Sequence, residues 1–325
     1  MSDQTKTGKA FEYALLMALN KTLSVNQKTI VRENELFENT KNCFIDFRDE
    51  ERSNYERAAE AAVKHLITLE PRLVQPLDEN DILTLSIQSD QSGTTGDIRD
   101  IIIERLKDNW SVGLSAKNNH AAVKHSRLSD SIDFGDKWLG ISCSKEYFDK
   151  IKPIFNQLRS MMKQTKHEGK VLAWRDLKNK DEIYSSVLEA FTQELQLLND
   201  RNPAIIPQRL LEYLIGTYDF YKIIKMNGKT EIQSYNLHET LNKPAQNVRP
   251  STRVSKLRLP TRIIEIKKVN NNRVNITFDE GWQLSLRIHN ASTNVEPSLK
   301  FDIQLIGRPN SAYTHFESWQ ISKSV

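Results

Sequence analysis

The sequence predicts a mixed α/β (α+β) fold, on three observations. An amphipathic helical pattern opens the chain. Two alternating segments joined by a tight turn read as a β-hairpin. A series of short β-patterned segments fills the C-terminal quarter.

The opening helix is read from Gly8 to Asn20, where Phe11, Ala14, Leu15, Ala18 and Leu19 fall on one face and Leu16 and Met17 widen it. Glu12 is the only charged residue between Ala10 and Leu19. A second helix, rich in alanine, is expected from about Glu51 to Leu69 and is ended by Pro71. Leu77 to Asp90 reads as a loop leading into a strand with Leu83, Leu85 and Ile87 alternating, and Ser92 to Gly96 as a turn. Ile98 to Leu106 is then the first arm of the hairpin and Lys107 to Asn109 its turn. In the second arm Trp110, Val112, Leu114 and Ala116 alternate with Ser111, Gly113, Ser115 and Lys117.

A helix is expected to follow at once, from about His120 to Leu128. The stretch from Lys145 to about Leu214 is mostly helical, with segments at Asp181 to Leu198 and Pro207 to Leu214, the latter opened by a proline in its first turn. After a loop from about Asn236 to Pro250 come strands at Arg262–Val269, Arg273–Phe278, Gln283–Ile288 and Lys300–Ile306. A hairpin is centred on Asp279-Glu280-Gly281. The change of character places a boundary near residue 245, dividing the chain into 1–245 and a basic, β-rich 246–325.

Composition narrows the class. At 325 residues the chain can bury one large core or two ordinary ones. No apolar run approaches the ~20 residues of a membrane span, and the N-terminus lacks the segments of a signal peptide, so the expected location is cytoplasmic. Cys43 and Cys143 have neither CxxC spacing nor a close thiol partner, which excludes a Cys-rich zinc finger and a disulfide scaffold. The net charge is only +4, but it is uneven. From Arg249 to Arg273 eight bases (Arg249, Arg253, Lys256, Arg258, Arg262, Lys267, Lys268, Arg273) meet one acid, Glu265. A polyanion suits such a stretch.

The chemistry concentrates on the hairpin. With its turn near Asp108, Asp100 lies opposite about residue 116. Ser115 and Lys117 share a face, so an acid, a hydroxyl and a lysine gather at one level of a sheet, with Asp97 near the ladder's end. Phosphodiester hydrolysis asks for such a set: a carboxylate to hold Mg²⁺, and a cation for the charge of the transition state. On the expected helix, His120, Lys124 and Arg127 share a basic face suited to phosphates, and His125 lies in the same run. Asn118 and Asn119 carry donor and acceptor edges for DNA, or Asn119 caps the helix. Glu12 either supplies a second metal ligand or pairs with Lys9 or Arg99.

The order Gly8-x-x-x-Glu12, Asp100 in an apolar strand, then x-x-Lys117 on the next strand resembles the PD-(D/E)XK nuclease core. The strings Thr95–Asp100, Gly113–His120 and Ala122–Ser129 resemble the HaeIII-type restriction endonucleases more specifically. So do Asp133-Phe134-Gly135, Lys137–Gly140, Gly8–Leu16, Arg287–Ser292 and Pro297–Asp302. The resemblance implies a central mixed sheet with flanking helices, a nuclease core with a helical insertion over 1–245, and DNA recognition over 246–325. It implies a type II enzyme that cuts double-stranded DNA with Mg²⁺ at GGCC, leaving blunt ends, and a methyltransferase that protects the host. Asp100 and Lys117 are the expected catalytic pair, with Glu12 and Asp97 as further metal ligands. Ser115 stands where such enzymes usually carry a carboxylate. A G·C site asks for donors to guanine O6 and N7, for which Arg249, Arg253, Arg258, Arg262, Arg287 and Lys300 are candidates, with His289 and Asn290 as further ones. A palindromic site invites a homodimer. The alternatives are a structure-selective nuclease of the same core and a DNA-binding protein without catalysis.

Overall fold

The apolar stripe at the start of the chain forms a long helix whose buried face, Phe11, Leu15 and Leu19, is fully withdrawn from water. The computed structural model describes residues 3–89, 97–119, 122–167 and 169–321, with the backbone alone at 3, 4 and 122–125. In chain order the elements are α1 (Asp3–Leu23), β1 (Lys28–Val31), α2 (Glu35–Ile45), α3 (Asp49–Leu69), β2 (Ile82–Ile87), β3 (Ile101–Arg105), β4 (Trp110–Asn118) and β5 (Ala122–Leu128). They continue with α4 (Lys145–His167), α5 (Lys180–Arg201), α6 (Ile206–Ile215), β6 (Phe220–Lys225), β7 (Lys229–Tyr235) and β8 (Ile263–Asn270). The chain closes with β9 (Arg273–Phe278), β10 (Gln283–Asn290), β11 (Leu299–Gly307) and β12 (Thr314–Ser318). The turn expected at Ser92–Gly96 lies outside the described residues.

Local chemistry accounts for several ends. Asn34 caps α2, its Oδ1 accepting from Phe37 N at 3.0 Å. Asp49, Glu50 and Glu51 fill the first turn of α3, where the helix dipole favours negative charge. Pro207 opens α6, and Gly216 ends it with φ 108°. Between β9 and β10, Glu280 and Gly281 both take positive φ, as the expected hairpin requires.

The chain forms two compact units that interleave in sequence: 1–121, 217–257 and 311–325 in one, 122–216 and 258–310 in the other. This differs from a single boundary near residue 245. That region has the composition of a linker, but Leu257 is fully buried and donates its backbone N–H to Asn236, so the chain stays in the first unit past it.

The first unit carries a seven-stranded mixed sheet in the order β1-β2-β3-β4-β6-β7-β12. β2, β3 and β4 form an antiparallel meander, and β6 runs parallel to β4. Helices α1 and α3 pack with the sheet around Leu83, Leu85, Leu114, Ala116 and Ile223. Because side chains alternate across a strand, burial of Val112, Leu114 and Ala116 in this core sends Ser115 and Lys117 to the opposite face.

The second unit holds a five-stranded antiparallel sheet, β5-β11-β10-β9-β8, with α4, α5 and α6. Its aromatic core packs Phe134 and Phe301 against Phe191 in tilted pairs, each with ring centroids 4.8 Å apart. The segment expected as a helix over His120–Leu128 is instead β5, paired with β11 from Leu128↔Leu299 to Lys124↔Ile303. The sheet edge offers this segment a full ladder, and Ser126 and Leu128 are buried while Arg127 is exposed, an alternation of period two. The shared helical face of His120, Lys124 and Arg127 therefore does not exist. No helix among the described residues is long and apolar enough to cross a membrane.

At the end of β3 away from Asp100, Arg105 is 1% exposed. It donates to Asp81 Oδ2 (2.7 Å), to the Arg72 carbonyl (2.8 Å) and to Gln27 Oε1. Removing one member of such a pair strands a buried charge. Asp81→Ala is expected to lower unfolding stability by about 3–5 kcal/mol, read from the midpoint shift in urea denaturation; a change within a few tenths would show that Arg105 is satisfied without it.

Candidate active site

The backbone ladder continues one residue past β3. Asp100 donates its N–H to the Leu114 carbonyl (2.8 Å), and its own carbonyl accepts from Gln88 N (2.9 Å). With Ile101 opposite Leu114 and Ile102 opposite Gly113, this step sets Asp100 beside Ser115, one residue from the expected register. The difference arises in the turn, where Leu106–Asp108 form a single 3₁₀ turn closed by Asn109 in the left-handed region at φ 46°.

Three donors converge on one oxygen of Asp100. Its Oδ2 accepts from Ala116 N at 2.7 Å, Lys117 Nζ at 3.0 Å and Ser115 Oγ at 3.2 Å. The charged pair is partly open to solvent, with side-chain exposures of 23% for Lys117 and 18% for Asp100. All three of these bonds fall on Oδ2 and none of them on Oδ1.

Glu12 completes the group. It projects from the apolar face of α1, a helix in contact with β4, and only 6% of its surface is exposed. Lys9, one helical turn earlier, donates to its Oε2 at 3.0 Å. Burial pushes the Glu12 carboxyl up from its ordinary 4.5 to about 8; the nearby Asp100 charge adds to the rise, and Lys9 and Lys117 oppose it. The Glu12 carboxyl thus sits in a poorly hydrated place, near enough to Asp100 to feel its charge.

Asp97 does not join this cluster through its described partners. It receives Arg99 Nε (2.8 Å) and NH2 (2.7 Å) as a two-pronged ion pair, and a bond from Gln88. Arg99 in turn lies over the Tyr218 ring, 4.0 Å from its centroid, and crosses the backbone of Gly113 so closely that a Cβ there would meet its Cδ at 1.9 Å. Glycine at 113 is thus a condition for this strut, which braces the residue next to Asp100.

The other candidates have varied surroundings. Asn118 ends β4 and its side chain hydrogen-bonds Tyr55, whose phenol burial pushes up to about 12. Asn119 has φ 51° and donates its N–H to the Lys225 carbonyl at 2.9 Å, so it turns the chain between strands rather than capping a helix. His120 lies outside the described residues, as do the side chains of Lys124 and His125. In the second unit Arg127 pairs with Glu296 (3.0 Å), Arg287 with Asp302 (3.1 Å), and Arg258 is exposed beside Glu280. Arg253, in the first unit, is exposed. His289 is half-buried in β10; Asn290 is held by Tyr184 and by the Ser292 carbonyl.

Lys225 is a neighbour that the sequence reading does not single out. It stands in register with Asn118, with its Nζ 5.1 Å from the Tyr55 ring centroid and 5.8 Å from that of Trp319. Nothing in its flanking sequence separates it from a surface lysine, because both rings come from distant segments.

The Glu12 carboxyl has a consequence for stability. Without metal the folded protein holds its proton up to about pH 8, whereas the unfolded chain releases it near 4.5. This group's contribution is therefore full below about 4.5 and is lost as pH rises through about 8. In chelator, the melting temperature is expected to fall over that window, and Glu12→Gln to flatten the fall. An unchanged slope in that variant would refute the assignment.

A family model for the HaeIII restriction endonuclease matches residues 8–309 of this chain. The type II restriction enzyme HaeIII of Haemophilus aegyptius is 42% identical over 318 residues, covering 96% of this chain and 97% of that protein. No solved structure matches. The matched region includes Glu12, Asp100, Ser115 and Lys117, and the chain belongs to the HaeIII restriction endonuclease family.

Proposed function

We propose that this type II restriction endonuclease hydrolyses double-stranded DNA at GGCC, cutting between the central G and C to leave blunt ends, with Mg²⁺ as cofactor. Family membership supports site-specific DNA cleavage, and the resemblance to HaeIII-type enzymes along most of the chain supports the GGCC site. The convergence of Lys117, Ser115 and the Ala116 N–H on Asp100 carries the assignment of the chemistry.

The donor set fits a hard divalent cation. Restriction endonucleases generally use a divalent metal, and Mg²⁺ prefers carboxylate and water oxygens. Asp100 Oδ1 and the Glu12 carboxylate would hold it; a further positive charge there would offset the burial, and the repulsion from Asp100, that raise the Glu12 pKa. When bound, the ion supplies Lewis-acid polarisation of a phosphate oxygen and makes water more acidic.

The chain's own groups supply the rest. Lys117 Nζ, anchored by Asp100, places a positive charge where the phosphorus gains negative charge, and its N–H groups orient the attacking water. Ser115 donates a hydrogen bond and brings no charge, so Glu12 is the second carboxylate of the site. Ala116 N–H fixes the plane of the Asp100 carboxylate. Asp97 is assigned to bracing Arg99 rather than to the metal.

In this reading the exposed bases of 249–273 and the positions Asn118, Asn119, His120, Lys124, His125, Arg127, Arg253, Arg258, Arg287, His289 and Asn290 supply contacts to DNA. A palindromic site suits a twofold homodimer. A methyltransferase of the same specificity protects host DNA, and the enzyme acts in the cytoplasm.

The decisive experiment digests a sequenced plasmid with purified protein and Mg²⁺ and maps the ends. Blunt ends within GGCC are expected; cutting confined to branched DNA would favour a structure-selective nuclease, and no cutting a DNA-binding protein. Asp100→Ala and Lys117→Ala are each expected to slow cleavage by about 10²–10⁴-fold while DNA binding stays measurable. Wild-type rates in both would overturn the site.

A further inference from the structure

A second cluster of ligating side chains sits in the first unit at the other edge strand, β12, separated from β4 by β6 and β7. His315 and Glu317 are two apart on β12 and share a face. Opposite them is His65 of α3, a helix packed against β12. The rings of His65 and His315 stack with centroids 3.6 Å apart and planes 8° from parallel. His315 Nε2 lies 3.0 Å from Glu317 Oε2. One ligand atom from each of the three residues lies within 4.8 Å of the other two. The hydrolysis proposed above uses none of these residues.

We propose that His65, His315 and Glu317 bind one Zn²⁺ ion and thereby fasten β12 to α3. Two imidazoles and a carboxylate form a donor set that favours zinc over magnesium. Ligands on a tetrahedral zinc, at bonds of about 2.0–2.1 Å, sit about 3.3 Å from one another, so the site closes when the two rings turn out of their parallel stack and aim their in-plane nitrogen lone pairs at one point.

The surrounding groups suit it. His65 Nε2 is 2.6 Å from the Tyr313 hydroxyl, an outer partner of the kind that orients a ligating imidazole and leaves Nδ1 for the metal. Lys64 Nζ holds Glu317 Oε1 at 3.1 Å, leaving Oε2 on the side of His315. Burial and the adjacent His315 lower the His65 pKa, keeping the ring in the neutral form that ligates. The ion takes the place of the hydrogen that His315 and Glu317 share.

The test is calorimetric titration of chelator-stripped protein with ZnCl₂ in millimolar MgCl₂, which directs zinc away from the carboxylates of Glu12 and Asp100. One zinc per chain is expected, bound at least tenfold more weakly by both His315→Ala and Glu317→Gln, and zinc is expected to raise the melting temperature of the wild type alone. His315→Ala removes a stacked ring, so the near-isosteric Glu317→Gln, checked by circular dichroism for an intact fold, keeps the test decisive. No saturable binding by the wild type, or wild-type affinity in either variant, would overturn the site.

Discussion

The grip of three donors on Asp100 Oδ2 exists only because β3 and β4 pair in one register. Two donors are neighbouring side chains of β4 and the third is the backbone N–H between Ser115 and Lys117. A slip of one residue would exchange the faces of the strand, turning Lys117 into the apolar core and Ala116 out of it. Burial of Val112, Leu114 and Ala116 against the helices forbids that slip. The hydrophobic effect, which knows nothing of phosphate chemistry, thus sets the position of the charged group.

The carboxylate of Glu12 imposes the opposite strain. It sits among Phe11, Leu15 and Leu16 on a helix face built for the core, where an ionised group is unwelcome. Lys9 and Lys117 offset part of the cost, and a cation between Glu12 and Asp100 would offset more. Such a site resembles others in which burial and like charge together prepare a group for its partner. On the other side of Asp100, the Asp97–Arg99–Tyr218 strut across Gly113 stiffens the approach to β3.

The alternation in Trp110–Lys117 and the stripe in Gly8–Asn20 make β4 and α1 legible in the sequence, because each pattern has a single period and a single buried face. The juxtaposition of Asp100, Ser115 and Lys117 follows from the hairpin to within one residue. The strand β5 is not legible. Its ladder partner, β11, lies more than 160 residues away, and its local composition suits a helix equally well. The same applies to the interleaved units and to Lys225, whose surroundings come from α3 and the C-terminal segment. The basic run reads as a DNA contact, but part of it has a second physical use. Lys267 and Lys268 lie on β8, an edge strand, where charge discourages pairing with another sheet.

The route of the chain through its two units bears on synthesis. Glu12, Asp100 and Lys117 all emerge from a ribosome before residue 118, yet β4 lacks its parallel neighbour until β6 follows, some hundred residues later. The sheet gains its last strand only at Thr314–Ser318. A nascent chain that already carries Glu12, Asp100 and Lys117 therefore has no finished sheet to hold them. Delay is thus built into the topology: the sheet that carries Asp100 and Lys117 is finished only when Thr314–Ser318 joins its edge, some two hundred residues after both were made.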